Sequence, residues 1–494
     1  MVPELRLFRK NDASPRPDGD FVLYWMIAAR RPRWSFALDR AVEWARELGK
    51  PLLVLEALRS GHPWASDRLH RFMLDGMADN ARAFAGSGIG YHSYVEPEPG
   101  AGKGLLERLG RDAVVVVTDE FPCFILPRMV ETAAERLGVR VEAVDSNGLL
   151  PLAATDRAYS RAFDFRRFLQ RELPNHLEDS PHSDSLQDHG IPAFPGLPPD
   201  VTERWPAVPP ALLEPDADLS SLPIDHTVGP IAERGGAAAA REALEIFLDR
   251  SLDRYGDQRN HPDAEAASEL SGYLHFGHLS VHEIFDALAR RESWSPRKLS
   301  GDAKGARSGW WNLPPAVESF LDELVTWREL GYGFCFHRPD YADFEALPDW
   351  AQKTLADHEE DERPAVYDLE AFEKAETHDT IWNAAQRELV ARGRIHNYLR
   401  MLWGKKILHW SRSPREALAI MIELNNKYAI DGRDPNSYNG IFWVLGRFDR
   451  AWGPERPVFG KVRYMTSEST RRKLRLKGYL EKWGDPEQEG VHKP

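Results

Sequence analysis

Two pairs of residues at helical spacing carry side chains suited to the edges and faces of a flat ring. Glu323 and Trp327 lie four positions apart, so one helical face presents both, and Asn397 and Met401 share this spacing. A carboxyl group in a largely apolar pocket has a raised pKa and donates a hydrogen bond to a carbonyl. Trp443 offers a further aromatic face. Taken singly, a helical tryptophan is more often part of a core, and this alternative stays open.

Tryptophan is unusually frequent, with 16 in 494 residues. Trp403 and Trp410 are seven positions apart, which is two helical turns or about 10 Å along one face. Trp382 lies on the preceding predicted helix, across Gly393. The three rings form a candidate electron relay, with a set of core aromatics as the alternative.

A phosphate-binding turn is predicted at a helix start. Ser268, Leu270 and Ser271 lie in the stretch ASELSGYLHFG, where serine hydroxyls and free backbone N–H groups suit a pyrophosphate. A serine at this position is often only a helix cap.

The charge is segregated along the chain. The formal net charge of −13 argues against non-specific binding to nucleic acid, but it does not exclude a local basic groove. Residues 456–482 are rich in lysine and arginine. Lys461 and Arg463 are the first candidates for contacts with a nucleic-acid backbone, since a guanidinium suits a phosphate. The alternative is a solvated basic face.

Several classes of protein are excluded. The longest strand-like apolar run, residues 113–117, is far shorter than the ~20 residues of a membrane span, and the N-terminus has no apolar signal region. Cys123 and Cys335 cannot form a disulfide framework and fit a reducing compartment. We therefore expect a soluble cytoplasmic protein that does not bind membranes.

The elements that position these residues divide the chain into three regions and a tail. Residues 1–150 alternate strands, at 21–26, 51–58, 90–95, 114–120 and 139–144, with helices, which predicts an α/β domain with a parallel, Rossmann-like sheet. Residues 151–225 form a predicted linker, rich in proline over 191–223. Residues 226–485 have helical periodicity, with Ser413-Pro414 as a helix start and Gly393 as a stop, and 486–494 form a tail.

Four C-terminal stretches resemble the photolyase/cryptochrome family, and class II cyclobutane pyrimidine dimer photolyases in particular. They are LVTWREL, RGRIHNYLRMLWGKKILHW, DGRDPNSYNGIFW and RAWGPERPVFGKVRYM. The N-terminal stretch FVLYWMIAARRPRWSFALDRAVEWARELGKPLLVLEAL is also similar to that class. The resemblance implies an α/β antenna domain, an all-α domain that binds FAD, and light-driven repair of UV-damaged DNA by electron transfer from excited reduced FAD to a flipped-out dimer.

The resemblance also implies roles for individual residues. Tyr255 and the segment with Ser268, Leu270 and Ser271 would bind the FAD phosphates. Arg400 and Asp431 match an ion pair beside the flavin, Asn425 matches an amide opposite its N5 atom, and Asp434 lies in the same loop. The lesion pocket would consist of Glu323, Trp327, Asn397, Met401 and Trp443. Trp382, Trp403 and Trp410 match the class II electron relay, and Arg463 matches a residue that contacts the lesion strand.

Alternatives within the family are a cryptochrome-like light receptor and a (6-4) photolyase. The (6-4) enzymes place histidines near the segment HNYLRM, where this chain has His396 and Met401, which favours the cyclobutane dimer. The chain departs from class II at Asn397, where glycine is usual, and at Tyr332-Gly333, where Asp-Asn is usual. A second antenna chromophore, deazaflavin or folate, and a monomeric state are further expectations. A generic FAD oxidoreductase would need a nicotinamide site, and no GxGxxG fingerprint follows the first strand.

Overall fold

The computed structural model describes residues 1–485, and the predicted tail at 486–494 lies outside them. Packing divides these residues into two compact units, neither of which is continuous in sequence. The first unit comprises Met1–Asp156, Glu172–Glu245 and Leu270–Arg297. The second comprises Arg157–Arg171, Ile246–Glu269 and the described residues from Lys298 on. The domain boundaries drawn from the sequence stay a prediction.

The N-terminal part of the first unit is a six-stranded sheet with helices between the strands. In chain order the elements are β1 Leu7–Arg9, β2 Phe21–Met26, α1 Phe36–Leu48, β3 Leu52–Leu58, α2 Asp67–Phe84, β4 Gly90–Val95, α3 Leu105–Asp112, β5 Ala113–Asp119, α4 Leu126–Arg136 and β6 Val141–Val144. The strand order is β1-β6-β5-β2-β3-β4.

The predicted fold class is confirmed with one correction, because the sheet is mixed and not wholly parallel. Strands β2 to β6 pair in parallel, whereas the short edge strand β1 pairs antiparallel with β6. Strand β1 has only three residues, and they are half-exposed or exposed. It is therefore too short for a hydrophobic pattern in the sequence to reveal it. The central strand β2 is buried on both faces, and its alternate residues enter separate cores on the two sides.

A buried carboxylate organises the carboxyl end of β2. Asp119 Oδ2 accepts hydrogen bonds from the N–H groups of Ile27, Ala28 and Ala29 at 2.8, 2.7 and 3.0 Å, and Oδ1 accepts one from the Tyr24 hydroxyl at 2.8 Å. These four donors compensate the cost of removing a carboxylate from water. The turn that leaves β2 is therefore held to the end of β5.

The middle of the chain contains seven helices. They are α5 Ala162–Glu172, α6 Pro199–Arg204, α7 Pro210–Leu213, α8 Ala237–Ile246, α9 Leu252–Gln258, α10 Ser271–His275 and α11 Val281–Arg291. Helices α5, α6 and α7 lie within the stretch predicted as a linker. Helix α5 packs in the second unit, where Arg166 makes an ion pair with Asp322 at 2.9 Å.

The rest of the second unit is helical, as predicted. Its further helices are α12 Pro315–Leu321, α13 Arg328–His337, α14 Asp349–Asp357, α15 Leu369–Glu373, α16 Thr380–Arg392, α17 Asn397–Trp410, α18 Pro414–Tyr428, α19 Pro435–Val444, α20 Ser467–Lys473 and α21 Lys477–Trp483. The Ser413 side chain caps α18, and Gly393, in the left-handed conformation, ends α16, so both predicted signals are confirmed. Among residues 1–485, no helix is long and apolar enough to cross a membrane.

A π-helical segment, Asp322–Trp327, lies between α12 and α13 and departs from the uninterrupted helix predicted there. Such segments have i to i+5 hydrogen bonds and occur frequently at functional sites. Two residues chosen from the sequence, Glu323 and Trp327, lie in this segment.

We expect Asp119→Ala to lower the free energy of unfolding by about 3 kcal/mol or more, because it leaves three N–H groups and the buried Tyr24 hydroxyl without their acceptor. Urea denaturation followed by circular dichroism, with hydrogen exchange at residues 27–29, measures the effect. Asp18→Ala, which removes an exposed carboxylate, is the control and should change stability by less than about 0.5 kcal/mol. Equal losses in the two variants would contradict the role of Asp119.

Candidate active site

A cavity of about 800 Å³ opens in the second unit. Helices α5 and α12, the π-helical segment, the end of α19 and the loop after α19 all contribute side chains to its wall. Glu323, Trp327, Trp443 and Arg463, four of the residues predicted from the sequence, lie together in this wall. Asn397 and Met401 are not among the described residues that line it.

Trp327 and Trp443 form an aromatic wall of the cavity. Their rings are stacked, with centroids 4.7 Å apart and planes 21° apart, so each ring keeps only its outer face for another ring. Asn439 Nδ2 donates a hydrogen bond to the Trp327 carbonyl at 3.0 Å, and Lys405 Nζ donates one to the Val444 carbonyl at the end of α19. These two hydrogen bonds fix the backbone of the segments that carry Trp327 and Trp443.

Glu323 is ion-paired in the cavity wall. Its carboxylate lies 2.6 Å from a guanidinium nitrogen of Arg259, a residue that the sequence analysis did not identify. Burial raises the pKa of Glu323, and Arg259 offsets this rise in part. The predicted raised pKa therefore agrees with the structure, but the predicted apolar surroundings do not, because a cation is the nearest partner. The two residues are 64 positions apart, and no local pattern connects them.

Two arginines hold an exposed tryptophan at the mouth of the cavity. Arg450 and Arg463 lie over the ring of Trp452 at 4.8 and 5.3 Å, and all three residues line the cavity. Trp452 and Arg450 were not predicted as site residues, although both lie within the stretch RAWGPERPVFGKVRYM. The arrangement leaves the guanidinium N–H groups of both arginines available at one edge of the cavity.

The predicted basic stretch, residues 456–482, is less available for binding phosphates than its composition indicates. Lys461 pairs with Glu455 at 3.1 Å, Arg472 pairs with Glu468 at 3.2 Å, and Arg471 donates a hydrogen bond to Thr380. Surface ion pairs of this kind are weak, but they compete with a phosphate for the cation. Within this basic stretch, Arg463 is the residue that lines the cavity.

Helix α17 begins at Asn397, which is exposed, and carries Met401, which is half-buried. His396, just before the helix, is shielded from water, and this burial lowers its pKa to about 4. His396 is therefore neutral near pH 7. Neither Met401 nor a neutral His396 supplies a strong acid in this segment.

Arg400, one turn into α17, makes a bidentate ion pair with Asp431. The nitrogen–oxygen distances are 2.9 and 3.3 Å. Burial opposes the charge of Arg400, but Asp431 outweighs it, so the pKa of the guanidinium is raised. Its Nε atom is buried and has no hydrogen-bond partner in the described part of the chain. One donor of this arginine is thus left for a group that enters the site.

The loop after α18 packs tightly against two asparagines. Asn425 Nδ2 donates to the Ser437 hydroxyl at 2.6 Å, while the amide of Asn426 accepts from the Arg433 N–H at 2.8 Å and donates to Tyr438 at 3.1 Å. A Cβ atom at Gly432 would lie 2.6 Å from the Asn425 carbonyl, so only glycine fits there. Asn426 therefore stabilises the loop with both ends of its amide.

Asp434 caps α19. Its Oδ1 atom accepts from the Asn436 N–H at 2.8 Å, and its Oδ2 atom accepts from the Tyr332 hydroxyl at 3.0 Å. Arg328 donates to the same hydroxyl at 2.8 Å. The contacts of Asp434 thus join the start of α19 to α13, and its predicted role in cofactor binding stays a prediction.

The three relay tryptophans lie together in the core of the second unit. Trp382 Nε1 donates to the Trp403 carbonyl at 3.0 Å, and the rings of Trp382 and Trp410 are 6.2 Å apart. Trp403 Nε1 donates to Gln386 at 2.9 Å. All three side chains are buried, so packing alone would also account for them.

The residues predicted for phosphate binding have different surroundings. Tyr255 is buried against Phe247 and Phe320, and burial, followed by Glu323, raises its pKa. Ser268 is half-buried in an irregular segment of the second unit. In the first unit, Leu270 is buried and Ser271 is the exposed first residue of α10.

Known proteins of similar sequence align with nearly the whole chain. The deoxyribodipyrimidine photolyase of Methanothermobacter thermautotrophicus is 34% identical over 483 residues, which cover 98% of each chain. The one from Arabidopsis thaliana is 34% identical over 475 residues, 93% of this chain and 88% of the relative. The one from Potorous tridactylus is 31% identical over 459 residues, 92% of this chain and 79% of the relative. No family model matches the chain.

Solved structures share the fold. A class III photolyase from Agrobacterium tumefaciens aligns with a TM-score of 0.64 at 18% identity, covering 94% of this chain and 86% of that chain. A cryptochrome from Synechocystis aligns with a TM-score of 0.66 at 16% identity, covering 96% and 90%. A photolyase from Sulfolobus tokodaii, solved with two FAD molecules, aligns with a TM-score of 0.65 at 14% identity, covering 95% and 91%.

Lys405 holds the end of α19, and its burial leads us to expect that the stability of the protein depends on pH. Burial lowers its pKa to about 7, whereas a lysine of the unfolded chain titrates near about 10.4. Between these values the unfolded state binds one more proton, so stability rises with pH. We expect Lys405→Met to remove this contribution, which is at most about 1.4 kcal/mol per pH unit.

Urea denaturation at a series of pH values between about 7 and 10 measures how the free energy of unfolding of wild type and of Lys405→Met changes with pH. Lys406→Met is the matched control, since Lys406 is the next residue and lies near Asp379. Equal slopes for wild type and Lys405→Met would contradict the prediction.

Proposed function

The chain belongs to the photolyase/cryptochrome family as a DNA photolyase, and we propose that the lesion it repairs with light is the cyclobutane pyrimidine dimer. The reaction breaks the two carbon–carbon bonds that join the pyrimidines and regenerates two bases without net oxidation or reduction. A dimer inside a duplex is out of reach, so the lesion must leave the base stack to enter a pocket of the enzyme.

The observation that carries this proposal is the stacked Trp327–Trp443 wall in an 800 Å³ cavity rimmed by arginines. An outer tryptophan face suits a flat pyrimidine, and stacking on an aromatic side chain tolerates either pyrimidine. Glu323, with its raised pKa, lies in the same wall and suits the polar edge of a base. Arg463 and Arg450 at the mouth suit the flanking phosphates.

The surroundings of α17 support the cyclobutane dimer over the (6-4) lesion. Repair of a (6-4) lesion needs a histidine that transfers a proton, as the family resemblance implies. Burial lowers the pKa of His396 to about 4, so near pH 7 it is neutral and does not act as a general acid. Met401 cannot transfer one. Asn397 and Met401 do not line the cavity, so their contact with the dimer stays a prediction.

The second unit also has features that fit FAD. The unpartnered Nε donor of Arg400, backed by Asp431, fits an acceptor on a flavin ring, and the Asn425 amide lies on the adjoining loop. Tyr255, Ser268 and Asp434 of this unit are proposed to hold the rest of the cofactor, and the roles of Leu270 and Ser271 stay predictions. When bound in reduced form, FAD supplies the photoexcited electron donor for the reaction. A deazaflavin or folate antenna chromophore stays a prediction.

We assign Trp382, Trp403 and Trp410 to a path that carries electrons toward the cofactor site. The contacts that support it are the Trp382–Trp403 hydrogen bond and the 6.2 Å approach of Trp382 to Trp410. The Gln386 side chain fixes the Trp403 indole. The path serves to reduce the bound cofactor and is not part of repair itself.

We expect Trp443→Ala to weaken binding to dimer-containing duplex by about 1–3 kcal/mol, because it removes one stacking face. Binding to undamaged duplex should not change, since no base leaves its stack there. Arg463→Gln is the contrasting variant. It should weaken binding to both duplexes and reduce the slope of log affinity against log salt concentration by about 0.9.

Fluorescence anisotropy titrations at several salt concentrations, with a blue-light repair assay on the dimer-containing duplex, measure these effects. Wild-type affinity of Trp443→Ala for the lesion would contradict the pocket. If wild type binds DNA but repairs no dimer in light, a receptor role replaces the enzymatic one.

We expect Trp403→Phe to abolish light-driven reduction of bound oxidised flavin, followed by its absorbance. Repair by protein reduced chemically beforehand should survive, because reduction and repair use separate electron paths. Trp44→Phe is the matched control: its indole is also buried and donates to a side chain, Glu142, at 2.8 Å. Normal photoreduction in Trp403→Phe would show that the three rings are only core.

A further inference from the structure

Helix α5 presents an arginine-rich face to solvent. Residues 157–171 contain five arginines and one aspartate in a chain with a net charge of −13. Arg161, Phe163, Arg167 and Arg171 are exposed, whereas Phe165, Leu169 and other residues on the opposite face are buried. Phe163 is 51% exposed, which is unusual for a large apolar side chain. The composition of this face is typical of a binding surface for a polyanion.

The helix is fixed in place within the second unit. Arg166 points inward to Asp322, with hydrogen bonds of 3.0 and 2.9 Å. Gln170 accepts from the Gly305 N–H at 2.7 Å and donates to the Ala306 carbonyl at 2.8 Å. A Cβ atom at Gly305 would lie 2.6 Å from Arg167 Cγ, so only glycine lets the loop pack this closely. The exposed arginines thus project from a rigid support.

Arg167 and Arg171 are held by aromatic rings and not by acids. Arg167 lies over Phe163 at 6.0 Å and Arg171 over Phe168 at 5.8 Å. Neither has a carboxylate within ion-pair distance among residues 1–485. A guanidinium on a ring keeps its N–H groups for bidentate contact with phosphate. This contrasts with Lys461 and Arg472, which are paired with glutamates.

The α5 face continues to the mouth of the cavity. Arg167 and Arg171 line a depression of about 440 Å³. Arg161, Phe163 and Arg307 line the 800 Å³ cavity itself. Arg167 and Arg171 are four residues apart, or about 6 Å along the helix. Phosphates two nucleotides apart in one DNA strand are separated by about 7 Å along the duplex axis, which is close to this spacing.

We propose that α5 binds the phosphate backbone of the duplex beside the lesion through Arg167 and Arg171, forming a second DNA-binding rim in addition to that of Arg450 and Arg463. The inference rests on the proposed function, since it assigns the lesion to the cavity. The phosphate contacts of α5 carry no sequence or lesion information. They act on any duplex and fix how the DNA lies across the cavity.

The test compares wild type with the double variant Arg167→Gln/Arg171→Gln on three DNAs. These are undamaged duplex, the same duplex with one dimer, and a short dimer-containing single strand that fills only the cavity. Arg204→Gln is the matched control, because Arg204 is exposed and lies over Trp205 at 4.4 Å in the first unit. Arg167→Lys/Arg171→Lys keeps both charges. Thermal melting checks that each variant is folded.

We expect the glutamine variant to bind both duplexes more weakly and to reduce the slope of log affinity against log salt by about 1.8, or about 0.9 for each phosphate that is no longer neutralised. Its affinity for the short strand should equal that of wild type, and the lysine variant should recover the slope. An unchanged slope, or an equally weakened affinity for the short strand, would overturn the proposal. If wild type neither prefers nor repairs dimer DNA, the proposed function fails, while the slope on undamaged duplex still decides the role of α5.

Discussion

The candidate active site depends on one ion pair in the cavity wall, Arg259 with Glu323 at 2.6 Å. A carboxylate shielded from water is costly unless a partner compensates it, so each residue of the pair stabilises the charge of the other. Arg259 follows α9 and Glu323 lies in the π-helical segment, so the pair joins two elements that are distant in sequence. Trp327, about one turn from Glu323, takes its place in the wall from this connection.

The partners of the arginines also explain how an acidic protein can present a basic surface. Arg166 and Arg259 in the cavity wall are neutralised by acids, Asp322 and Glu323. Other arginines at or beside the cavity lie over aromatic rings, as Arg463 lies over Trp452 and Arg167 over Phe163. A ring orients a guanidinium without cancelling its charge. Attraction for DNA is therefore local to the rim, while the net charge of the whole chain, −13, repels a polyanion.

Helix α17 couples the separate parts of the site because its residues point in different directions. Arg400 reaches Asp431, the Trp403 carbonyl accepts from Trp382, and Lys405 reaches the end of α19. A rotation of 100° per residue distributes these contacts around one rigid axis. A shift of the helix would therefore disturb the proposed cofactor site, the relay and the aromatic wall together.

The sequence by itself determined the features that are encoded locally. Strand and helix periods are properties of a few consecutive residues, and they identified the strands β2 to β6 and the helical region, while the resemblance to a known family pointed to the Glu323–Trp327 pair. The tertiary structure alone decided that Arg259 is the partner of Glu323, that β1 pairs antiparallel at the sheet edge, and that α5, in a predicted linker, packs in the second unit. These features depend on contacts between residues far apart in the chain. Such contacts follow from the path of the whole backbone and leave no periodic trace in the sequence.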